Sequence, residues 1–172
     1  MLKKFVSSLL MITLLVGCGS STPSSSTSST TTENTTTEAK ENDSEKDLEQ
    51  VKKLASQIVD DLGLQESVVA AKDRIIPGIF FFEEGTVSAS AFYLADKKAD
   101  SVGVFKANDV EACKECVKTY LETLKAQLQT YAPDEIFKVD NAIVEEKDGL
   151  VVMIVCDDIE SARQEANKIL GK

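Results

Sequence analysis

Apolar positions at Leu48, Val51, Leu54, Ala55, Ile58, Val59 and Leu62 recur every three or four residues and stop at Gly63, which predicts an amphipathic helix with a glycine at its end. Residues 66–72 read as a further helical turn or two, leading to Ile75-Ile76-Pro77-Gly78, where the Pro-Gly pair interrupts any regular element. Ile79–Phe82 and Val87–Leu94 read as strands separated by Glu83-Glu84-Gly85. Ser101–Lys106 closes a hairpin through the polar residues 95–99. Asn108 or Asp109 caps a long helix with Val110, Cys113, Val117, Tyr120, Leu121, Leu124, Leu128 and Tyr131 on one side, and Pro133 ends it. A short helical turn covers 134–138. Ala142–Glu146 and Leu150–Cys156 form a second hairpin around Lys147-Asp148-Gly149, and Asp157 or Asp158 caps a last helix through Ile159, Ala162, Ala166, Ile169 and Leu170. The order α, ββα, ββα predicts an α+β fold, with about four antiparallel strands and the helices packed on one face.

Ahead of this region the pattern changes. Lys3 and Lys4 precede an apolar run from Phe5 to Val16, broken only by Ser7, Ser8 and Thr13. As a helix that run would span about 18 Å, against the roughly 30 Å of a bilayer's hydrocarbon core, so it reads as a secretory signal peptide and not a membrane span. Leu15-Val16-Gly17-Cys18 resembles the lipobox of bacterial lipoproteins. The resemblance implies cleavage between Gly17 and Cys18, with acyl chains on Cys18 that hold the protein on the membrane. From Gly19 to Thr37, fifteen of nineteen residues are Ser or Thr, with nothing to bury, and acidic residues follow to Lys46. The expected organisation is a signal peptide over 1–17, a lipidated cysteine and disordered acidic tether over 18–46, and one globular α+β domain over 47–172. The address is the extracytoplasmic face of the cell membrane.

Composition narrows the chemistry. The 172 residues hold 19 Lys+Arg, 29 Asp+Glu and no His or Trp, a net charge of −10. Without histidine the commonest general base, the commonest metal ligand and the Ser-His-Asp arrangement are all missing. The acidic balance speaks against nucleic acid as a partner, because duplexes are bound through clustered Lys and Arg. Residues 47–172 alone carry 15 basic and 24 acidic residues, a net −9.

Two motifs carry candidate chemistry. Cys113-Lys114-Glu115-Cys116 has the spacing of thioredoxin-type redox pairs and of a zinc half-site, with Cys156 as a third thiol. Cys113, however, falls inside the helix on its apolar side, away from the N-terminal N–H groups that stabilise a thiolate. Buried packing, a disulfide involving Cys156, and thiol or metal chemistry therefore stand as alternatives. Phe80-Phe81-Phe82 is the second motif. In a strand, successive side chains alternate between faces, so at least one of the three leaves a one-sided core and becomes a docking point for a partner or apolar ligand, unless the segment tucks all three inward. The acidic pairs Asp60-Asp61, Glu83-Glu84, Glu145-Glu146 and Asp157-Asp158 are explained by solvation and helix capping, since neighbours in sequence diverge in space.

Ser101-Val102-Gly103-Val104-Phe105-Lys106 before a capped helix, Tyr131-Ala132-Pro133-Asp134-Glu135, Asn141-Ala142-Ile143-Val144, Gly149 before an apolar strand and Cys156-Asp157-Asp158 before a terminal helix together resemble the lipoproteins of domain of unknown function 4358 from low-GC Gram-positive bacteria. The resemblance implies a lipid-anchored extracytoplasmic protein and supplies no catalytic residues. The expected role is a non-catalytic module, without cofactor or metal, that binds a partner protein or envelope component; small-ligand binding is an alternative that a domain of about 126 residues disfavours. Thiol-redox chemistry at Cys113 and Cys116 is the other alternative.

Overall fold

The computed structural model describes the backbone of residues 37–172 and the side chains from residue 44 onward. The expected signal peptide, the expected cleavage and lipidation site at Gly17 and Cys18, and the Ser/Thr-rich run to residue 36 lie outside the described residues.

The first helix, α1 (Thr37–Asp61), begins well before Asp47, so the last part of the expected tether is helical. Its opening turns contain Glu38, Ala39, Lys40 and Glu41, all good helix formers by residue type. A helix already held by a packed segment extends through such residues at little cost. The expected helical turn at 66–72 is instead strand β1 (Val68–Ala70), paired antiparallel with β2 at Val68↔Ala95. Two adjacent β-branched valines suit a strand better than a helical turn.

A 3-10 turn at Asp73–Ile75 leads into α2 (Ile76–Phe80), which replaces the expected strand at Ile79–Phe82. Pro77 stands in the first turn of α2, where its missing N–H is not needed; it opens this helix and does not break it. The remaining elements follow the expected order: β2 (Val87–Ala95), β3 (Ser101–Ala107), α3 (Val110–Tyr131), α4 (Ile136–Asp140) after a 3-10 turn at Pro133–Glu135, β4 (Ile143–Lys147), β5 (Leu150–Val155) and α5 (Ile159–Leu170). Asp109 and Asp158 are the caps of α3 and α5, accepting from the N–H groups of Ala112 and Ser161 at 3.0 Å each.

The sheet is wholly antiparallel, in the order β1-β2-β3-β5-β4, with Ala91↔Val104 and Val104↔Val152 in register at its centre. The α+β class holds, with five strands among the described residues. The helices lie on both faces. On one, Ala91, Val102, Val104, Val152 and Ile154 meet α1 and α5. On the other, Phe92, Phe105, Val151 and Met153 meet α2 and α3. A smaller cluster of Ala99, Leu128, Val139 and Val155 lies under α4. One-sided packing fails because β3 and β5 are apolar at consecutive positions, so each sends side chains to both faces and each face needs a cover. Gly103 serves the second face directly: a Cβ there would lie 2.6 Å from the Phe105 ring, which folds over it.

Candidate functional site

The three consecutive phenylalanines divide two inward and one outward. Phe80 is fully buried, edge-on to Phe92 and Phe105 with centroids at 5.0 and 4.8 Å, and 4.7 Å from Tyr120. Phe82 stacks on Phe80 at 5.3 Å and meets Phe105 edge-on. Phe81 is 69% exposed. The cause is a helix cap and not strand alternation: Phe81 ends α2 in the left-handed conformation, with φ 56° and ψ 36°, which turns its ring outward between its two inward neighbours. Non-glycine residues avoid that conformation.

Phe81 stands at the mouth of a groove of about 470 Å³ between α2, the end of β2 with its following turn, and α3. Ile79, Phe81, Leu94, Tyr120, Leu124 and Leu128 make its apolar wall. Tyr131, expected on the buried side of α3, is 85% exposed and continues the wall outward, because Leu128 is the last position of α3 that the core covers. Burial pushes the Tyr120 phenol up to about 12, so it is neutral at pH 7.

The turn between β2 and β3 supplies Lys97, Lys98 and Asp100 to the same groove. Asp100 is buried and bound by Lys138 of α4, whose ammonium donates to both carboxylate oxygens at 3.1 Å. Lys138 is itself only 3% exposed, and it also pairs with Glu135 at 3.0 Å and with Asp157 at 3.2 Å. Glu135 in turn accepts the N–H of Ala99 at 3.0 Å. One buried cation thus ties the β2–β3 turn to α4 and to the start of the last helix. Sequence patterning missed it; the signal was a lysine inside the apolar stretch Ile136-Phe137-Lys138-Val139.

Among the described residues, Cys156 does not join Cys113 and Cys116. Cys113 belongs to the cluster under α2 and α3 and Cys156 to the cluster under α1 and α5, on opposite faces of the sheet. Cys113, Cys116 and Cys156 are all free thiols. Burial, with the nearby Cys116 and Asp109, pushes the Cys113 thiol up to about 12. Burial also raises Cys116, helped by Glu83 and Glu115, and raises Cys156. Cys116 donates weakly to the Phe81 carbonyl at 3.8 Å, so its sulfur braces the α2 cap from behind. A redox nucleophile needs its pKa lowered, and here every shift runs the other way. With native protein at pH 8, iodoacetamide should alkylate Cys113 about a thousandfold more slowly than an unperturbed thiol, rising to the ordinary rate in urea. Peptide mass mapping reads this directly, and fast native labelling would contradict it.

The acidic pairs separate as expected of neighbours in sequence. Asp158 caps α5 while Asp157 reaches Lys138; Asp61 pairs with Lys168 at 2.6 Å and Glu145 with Lys172 at 2.5 Å. Among the described residues no group of three or more Cys, Asp or Glu is arranged to hold a metal ion, and no helix is long and apolar enough to cross a membrane.

A family model described as Domain of unknown function (DUF4358) matches residues 60–156, more than half of the chain. The matched region contains α2, β2, β3 and α3, the elements that enclose the groove. No curated protein and no solved structure matches the chain.

Proposed function

The chain belongs to the DUF4358 family, and we propose that it is a non-catalytic binding module, held outside the cell by a lipid anchor at Cys18, which recognises its partner at the groove beside Phe81. The observation that carries this reading is Phe81 itself. A glycine at that cap would remove both the left-handed strain and the exposed ring, so folding alone does not account for a phenylalanine there. An exposed aromatic beside an apolar groove of small-molecule size is, by contrast, the usual make-up of a recognition site. The anchor rests on the basic start, the short apolar run and Leu15-Val16-Gly17-Cys18.

Position-specific photo-crosslinking in cells tests both halves. A benzophenone side chain in place of Phe81 is expected to capture a discrete adduct, while the same group at the exposed Arg163 of α5, on the other side of the sheet, captures none. The chain should sediment with membranes, and Cys18→Ala should release it. Equal adducts at both positions, or none at Phe81, would overturn the groove as the binding site.

A further inference from the structure

Resting on that reading of the groove, we propose that its ligand is a small amphiphilic anion, with an apolar chain along the wall between Phe81 and Leu128 and its head group at Lys97 and Lys98.

Charge placement is the first argument. Residues 47–172 carry a net −9, so most of the surface repels an anion. At this groove the sign reverses locally: two adjacent lysines line it, and Asp100, the one carboxylate among its lining residues, has both oxygens engaged by Lys138. Among the described residues neither Lys97 nor Lys98 forms an ion pair within 4.0 Å, although Lys98 is close enough to Glu135 to help hold that carboxyl below its usual value. Asp96 of the same turn is not among the lining residues. The two ammonium groups are therefore left to meet an anion from outside.

Backbone geometry is the second. Residues 96–98 form the bend between β2 and β3, where consecutive side chains are not held to the alternation of a strand. Lys97 takes φ 61°, and both lysines line the groove. The left-handed bend at Lys97 thus sets both lysines at the same groove.

The division of chemistry along the groove is the third. Gly78, Ile79, Phe81 and Tyr120 line it from the α2 side and from mid-α3, while the lysines enter from the β2–β3 turn, near the α3 end that holds Leu128 and Tyr131. An apolar stretch finished by a cationic end matches a chain molecule with one anionic terminus. A volume of about 470 Å³ admits such a molecule.

The full chain should bind dodecanoate saturably, at one per chain below its micellar concentration, and at least tenfold more tightly than dodecyltrimethylammonium, which has the same tail and the opposite charge. Acetate, the head group alone, should not compete. The double variant Lys97→Gln/Lys98→Gln should weaken dodecanoate about tenfold with no change in thermal midpoint, since both side chains are exposed. Thr123→Trp, which fills the groove from an exposed position on α3, should abolish binding. Equal affinity for the two head charges, or an unchanged affinity in the lysine variant, would overturn the anionic assignment and leave the groove as a binding site. Failure to bind any amphiphile while a Phe81 crosslink persists would overturn this assignment alone and point to a protein ligand; loss of the crosslink as well would overturn both.

Discussion

Lys138→Met should destabilise the fold by about 3–5 kcal/mol, measured by urea denaturation at pH 7. The ammonium holds three carboxylates, and one of them, Asp100, is as buried as the lysine. Removing the cation leaves the Asp100 charge in the interior without its partner, and that desolvation sets the size of the loss. Adding Asp100→Leu should recover much of it, because the orphaned charge disappears; a single-variant loss below about 1 kcal/mol would contradict the structure. The pH dependence has a definite sign. Burial alone would raise the Glu135 carboxyl, but the Ala99 N–H and the Lys138 ammonium outweigh it and hold it below its ordinary value of 4.5. Its contribution is therefore complete above that value and is lost as the pH falls through the lowered one. Lys138 is shifted upward: burial opposes its charge, and the bonds to Glu135 and Asp100 outweigh that burial. Its contribution is complete below 10.5 and fades only in strong alkali. Stability should thus decline from about pH 5 downward, and the decline should be shallower in Lys138→Met.

Phe80→Ala should cost about 3–5 kcal/mol and Phe81→Ala less than about 0.5 kcal/mol, although the two residues are adjacent. Phe80 fills the centre of a cluster with Phe82, Phe92, Phe105 and Tyr120, and its loss leaves a cavity among those rings. Phe81 projects into solvent, and alanine keeps the same backbone strain. Denaturation midpoints of the two variants give the comparison; similar losses in both would mean that Phe81 packs into the core.

The elements most legible in the sequence were those whose pattern repeats over many residues. The packed part of α1, all of α3 and the hairpin at Lys147-Asp148-Gly149 fall where the periodicity and turn residues put them. Short elements escaped, because three residues at Val68–Ala70 or five at Ile76–Phe80 are too few to show a period, and tertiary pairing decides them. The two-sided sheet was written in Val151–Val155, where consecutive apolar residues signal burial on both faces. Of the candidate site, only the phenylalanine run was visible. Leu124 and Leu128 read as ordinary core positions, and Lys97 and Lys98 as a polar turn; their convergence depends on how the β2–β3 turn meets the end of α3, which no local pattern encodes.

The most direct test of the central claim is to measure Phe81→Gly for stability and for partner capture together, with the benzophenone moved to the exposed Tyr131 position along the same groove. If Phe81 is kept for recognition against the preference of the fold, the glycine variant should be more stable by about 1 kcal/mol, while its crosslinked adduct falls to background. A variant that loses stability and still captures its partner at full yield would contradict the claim.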